Sequence, residues 1–117
     1  MKSVNQTELY ALYKDTLSHV GTFLLTCDRE EIEYHLFEEF DTDCTSFLHE
    51  TTLRALLEGG LISAEIYETS LRLAAEFRGL EGTALWNPEA VTTAKAWRKV
   101  MELGDMLRDI VGIFECS

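Results

Sequence analysis

The sequence is poor in proline, with one in 117 residues, and has no apolar run approaching the ~18 residues that a membrane span needs. It is also poor in positive charge, with 10 Lys and Arg against 21 Asp and Glu, a formal net charge of −11. That balance disfavours direct contact with phosphate backbones and anionic membrane surfaces, and favours encounter with a basic protein. The cysteines are Cys27, Cys44 and Cys116. An odd number without C-x-x-C spacing fits neither a disulfide framework nor a zinc site, and reads as incidental thiols in a reducing compartment. The polar stretch Met1 to Tyr10 lacks the charged start and apolar core of a signal peptide, so the expected location is cytoplasmic.

Motifs of common chemistry are missing as well. There is no G-x-G-x-x-G, P-loop, H-E-x-x-H or G-x-S-x-G. Asp41-Thr42-Asp43 resembles the opening of a calcium loop, but Ser46 stands where the turn glycine belongs and Thr52 where the bidentate glutamate belongs. Glu31, His35 and Glu38 share a helix face at a spacing that could ligate a metal. The Glu-x-x-His pair that di-iron bundles place on two helices is absent, so a solvated face is the expectation. Cys44 with His49 suggests a thiol nucleophile, yet no third orienting group is evident. The expectation is therefore a protein with no catalytic residues, no cofactor and no metal.

What is present is helical periodicity. A first segment, Thr7 to Leu25, carries Leu9, Tyr13, Leu17, Val20 and Leu24 on one stripe, with Thr7 as its cap. A second starts at the cap Asp28 and buries Ile32, Leu36, Phe37 and Phe40. The third spans Thr45 to Glu58 and stops at Gly59-Gly60. The fourth starts at Ser63, buries Ile66, Tyr67, Leu71, Ala74 and Phe77, and ends at Gly79. After an irregular stretch from Gly79 to Trp86, Asn87-Pro88-Glu89 opens a fifth segment running to Phe114, with Gly104 placed for a bend or a close helix contact. With no hairpin dipeptide and no repeat, the expectation is one all-α domain, residues 1–117, built as a bundle of four or five helices.

Residues 28–43 read DREEIEYHLFEEFDTD, eight acids against one base, a local charge of −7. On a helix, Glu30, Glu31, Tyr34, His35, Glu38 and Asp41 face outward. Like charges at this density cost a few tenths of a kcal/mol per neighbouring pair, which selection for stability alone would dilute with lysines. A tyrosine amid carboxylates is an interface composition, and these six residues are the expected partner-binding set.

An acidic helix on a small helical bundle without catalytic motifs resembles bacterial toxin-immunity proteins, of the colicin nuclease immunity and contact-dependent growth inhibition kinds. The likeness is one of composition and architecture, carried by residues 28–43. It implies binding to the basic nuclease domain of a cognate toxin, by covering its active site or a neighbouring surface. Two other readings stay open: a phage-type inhibitor or nucleic-acid mimic of the anti-restriction or anti-CRISPR kind, and a helical sensor with a small-ligand pocket near Trp86 and Trp97.

Overall fold

In the computed structural model, residues 5–116 are described, and every regular element among them is helical. The reading of Met1 to Tyr10 therefore falls partly outside the described residues. Helix α1, Gln6–Leu17, is capped by Asn5, whose side chain accepts from the Glu8 N–H, and not by Thr7. The helix expected to run from Thr7 to Leu25 is two pieces, α1 and a 3₁₀ turn, Thr22–Thr26. The reason lies on the last helix. Arg108 Nη1 donates to the carbonyls of Leu17 (2.7 Å) and Val20, groups that a continuing helix would use itself. Asp105 accepts from the Thr22 N–H at 3.2 Å and the Thr22 hydroxyl at 2.6 Å, which holds the turn in place.

Next comes one continuous right-handed helix in three parts: α2, Arg29–Ile32; a π-helical segment, Glu33–Phe40; and α3, Asp41–Phe47. Asp28 and Glu31 close a capping box at its start, both bonds at 2.9 Å. The π segment follows from the spacing of the core residues. Ile32, Leu36, Phe40, Cys44 and Leu48 recur strictly every fourth residue, and all are buried. On an α-helix of 3.6 residues per turn, that stripe rotates by about 40° at each step and leaves the core after two or three. A wider π turn, about 4.4 residues, rotates it back the other way. Eight π residues within the stretch keep the five side chains within about 40° of one line, half the spread of an unbroken α-helix, so burial repays the poorer π hydrogen bonding.

Two further helices expected to be continuous are also broken. The segment Thr45–Glu58 bends at Leu48 and His49, and α4, Glu50–Glu58, starts anew with His49 as its cap, Nδ1 accepting from the Thr51 N–H at 3.1 Å. Leu48 ends the four-residue stripe, whereas Leu53 and Leu56 need a different direction to reach the core. The stop at Gly59-Gly60 holds: Leu61 N–H reaches the Leu56 carbonyl and Gly60 N–H that of Leu57, a Schellman pair that needs the positive φ of 75° at Gly60. Helix α5, Ala64–Arg78, is capped by Ser63 and ends at Gly79 as expected. Its buried line is Ile66, Ser70, Leu73 and Phe77, with Tyr67, Leu71 and Ala74 on the flank. Ser70 is taken inward by a buried chain of bonds. Its hydroxyl donates to the Ile66 carbonyl at 2.7 Å, so the Tyr13 hydroxyl, 2.6 Å away, must be the donor to Ser70.

Asn87 and Pro88 start α6, Pro88–Thr93, but the expected run to Phe114 breaks at Ala94, which is extended. The hydroxyls of Thr92 and Thr93 both take the Glu89 carbonyl at 3.1 Å, competing with the helical ladder. The break lets α6 pack on α2 and the 3₁₀ turn while α7, Lys95–Glu115, packs along α5. Trp97 is fully buried on α7, and its Nε1 donates to the Leu85 carbonyl at 2.6 Å, tying down the loop before α6. Around it, Phe37, Phe77 and Trp86 lie within 5.9 Å, centroid to centroid.

Gly104 provides the close contact. A Cβ there would sit 2.5 Å from the Val20 carbonyl oxygen, which Arg108 already holds. Gly104→Ala gains helix propensity worth about 1 kcal/mol, but forcing the α1–α7 junction apart costs more. The expected net effect is a loss of roughly 1–2 kcal/mol, read as a lower urea midpoint at unchanged slope.

Candidate functional site

The wider π turn re-sorts the side chains of the acidic stretch. Residues five apart lie nearer in phase than on an α-helix, and Glu33 and Glu38 share one flank. With Phe37 between them and Trp86, Asn87 and Pro88 opposite, they line an open groove of about 280 Å³. The Phe37 and Trp86 rings meet edge to face at 5.0 Å and form its apolar wall. On the other flank, His35 lies half-buried against His19, their Nδ1 atoms 2.9 Å apart. The Phe23 ring packs edge-on to His35 at 5.2 Å and Tyr34 edge-on at 5.1 Å. Tyr34 is 47% exposed even so, and is the only large apolar side chain of the π segment so presented.

The six residues expected on one outward face thus have different circumstances. Glu30, Tyr34 and Glu38 are exposed on it. Glu31 is exposed, but its carboxylate is held in the capping box by the Asp28 N–H. His35 is not a solvated residue. Burial, and then the neighbouring His19, push its pKa down, against the pull of Glu31 and Glu39. Asp41 is ion-paired: Arg78 donates to its carboxylate and, at 2.7 Å, to its main-chain carbonyl, while also reaching the Thr45 hydroxyl at 2.8 Å. The sequence had placed Asp41 beside no base, because Arg78 arrives from α5, 37 residues later. Arg29 offsets two further acids, Glu33 at 3.3 Å and Glu89 at 2.9 Å. Glu30 and Glu38 have no hydrogen bond or ion pair among the described residues.

Sequence reasoning missed the groove because Trp86 lies in the loop ahead of α6, far along the chain from Glu33 and Glu38. It also missed the His19–His35 pair, since His19 sits in the turn after α1 and not on a helix. Among the described residues, the nearest approach to a metal-ligating group is Asp15, His19 and Asp43, a different set from the Glu31, His35 and Glu38 whose spacing reads as a solvated face.

The thiol question has a geometric answer. Cys44 is buried within the four-residue stripe, and burial pushes its thiol up to about 11, a poor thiolate at neutral pH. His49 is turned to its capping role at α4. No family model matches the chain, and neither curated proteins nor solved structures give a match. No helix of the described residues is long and apolar enough to cross a membrane.

Two measurements check this arrangement. Removing the Arg78 guanidinium in Arg78→Ala should destabilise the fold by about 1–2 kcal/mol, since its charged hydrogen bonds are partly screened at a third exposure. A chromogenic disulfide reagent at pH 8 should label the exposed Cys116 first, while Cys44 should react only as fast as the protein unfolds.

Proposed function

We propose that this chain is a toxin-immunity protein, which binds the basic, nuclease-type domain of a cognate toxin through the acidic face of Glu33–Phe40 and so neutralises it. The observation that supports this best is the groove where Glu33 and Glu38 flank the edges of Phe37 and Trp86. Aromatic walls with carboxylates at the rim suit an arginine or lysine side chain: the stem packs on the rings, and the cation meets the acids. Nuclease domains carry such side chains because they bind phosphates. Tyr34, exposed on the helix that carries the groove, adds a rigid aromatic contact at low entropic cost.

Charge and contact divide the work. The uncompensated acids draw the partner in and set the association rate, an effect that weakens with salt. Desolvating them opposes binding unless each finds a cation, so the energetic centre is small: Tyr34 and the groove carboxylates. A sensor for a small molecule is less well supported, because the open groove would cover little of a ligand's surface.

The first test is co-expression with the product of the neighbouring gene, scored for survival. A toxic product whose effect this chain suppresses supports the reading; unchanged killing despite stable expression of both contradicts it. With that pair in hand, charge reversal of Glu30 and Glu38 should slow association by roughly tenfold or more at low salt and flatten its salt dependence. Tyr34→Ala should chiefly speed dissociation, by roughly 2 kcal/mol. Glu31 is left intact, since reversing it would break the capping box.

A further inference from the structure

Three elements bring together side chains that none of them carries alone. Asp15 lies in the last turn of α1, His19 in the turn that follows, and Asp43 on α3. One ligand atom from each lies within 4.8 Å of the other two. His19 Nε2 is 3.8 Å from Asp15 Oδ2, too far for a hydrogen bond. His19 is buried, its side chain 11% exposed, and its ring is anchored from behind. Its Nδ1 faces the Nδ1 of His35 at 2.9 Å, and two ring nitrogens can share that separation only if one carries the proton and the other does not. With the proton on His19, its Nε2 is a bare lone pair directed at the acids, so one lone pair and two carboxylates surround a space with no hydrogen between them.

We propose that Asp15, His19 and Asp43 form a binding site for a divalent transition-metal ion, of which zinc is the natural probe. One imidazole and two carboxylates are a borderline donor set that suits zinc better than calcium or magnesium, which take oxygen ligands in larger number. Tetrahedral zinc, with bonds of about 2.0–2.2 Å, needs its ligands drawn closer than 4.8 Å. The carboxylate able to move is Asp15, whose side chain is largely exposed at the end of α1. His35 acts as a positioning residue: it fixes the tautomer and ring angle of His19, the part that an outer acceptor plays for a metal-bound imidazole. The carboxylate of Asp43 sits near that of Glu39, so a cation there also relieves a repulsion within the acidic stretch. The sequence does not announce this group, because its ligands lie on three different elements. Here the third ligand comes 24 residues after the second.

The site borders the proposed toxin contact, since Tyr34 packs on both His19 and His35, but shares no ligand with it, and its test needs no partner. Titrated with zinc, the protein should bind one ion. Its Tm should rise by roughly 10 °C when zinc stands a hundredfold above Kd. Asp15→Asn and Asp43→Asn should each weaken binding at least tenfold, and His35→Ala by 10–100-fold. Glu68→Gln and Cys116→Ser, remote acid and thiol controls, should leave it unchanged. Ring-nitrogen spectra of the wild type should show zinc on Nε2 of His19 and a proton held at Nδ1. Each variant's fold is checked by circular dichroism. Because Asp15 is exposed, Asp15→Asn keeps the test valid should Asp43→Asn fail to fold. The proposal is overturned by the absence of saturable binding, by binding that survives the Asp15 and Asp43 substitutions, or by binding lost on Cys116→Ser.

Discussion

The acidic face depends on a mismatch between the sequence and the α-helix. Five apolar residues spaced by four must all reach one core, from Ile32 to Leu48. An α-helix cannot hold that spacing on one line, and a π-helix over-corrects it. The chain combines both. The π segment that results turns Glu33 and Glu38 toward Trp86, and His35 toward His19. The acid-flanked groove and the candidate metal site are therefore consequences of one packing requirement. Local π geometry is often found at functional sites, and here its cause can be read in the core residues beneath it.

Electrostatics explains why the acids can be so dense. The helix tolerates them because several are already compensated. Asp28 and Glu31 cap its positive N-terminus, Arg29 reaches Glu33 and Glu89, and Arg78 holds Asp41. What remains uncompensated is narrow, chiefly Glu30 and Glu38 on the outer surface and the group near His19 on the inner flank. A raw charge of −7 overstates what a partner would meet, and the distribution matters more than the sum.

Much of the fold was legible because its signals are local. The caps Asp28, Ser63 and Asn87, and the stops at Gly59-Gly60 and Gly79, act through neighbouring backbone groups, so their residue types announce them. The breaks were not legible. The end of α1 at Leu17 depends on Arg108, and the direction of α7 depends on α5 packing once Ala94 has released it. Of the candidate face, Tyr34, Glu30 and Glu38 could be read from helical phase, whereas Asp41 and His35 could not, since their partners come from other elements. The four-residue spacing was visible throughout as Ile32, Leu36 and Phe40. Its extension to Cys44 and Leu48, which forces the π turn, emerges only when those two residues are known to be buried along the same line.

The central claim is that the π segment presents the partner-binding surface. Hydrogen exchange of the chain, alone and mixed with the basic toxin domain proposed as its partner, tests this most directly. Amides of residues 30–38 and of the Trp86 loop should gain protection together on binding, because groove and helix are covered as one surface. Protection confined to α4, α5 or the far end of α7, with residues 30–38 unchanged, would contradict the account.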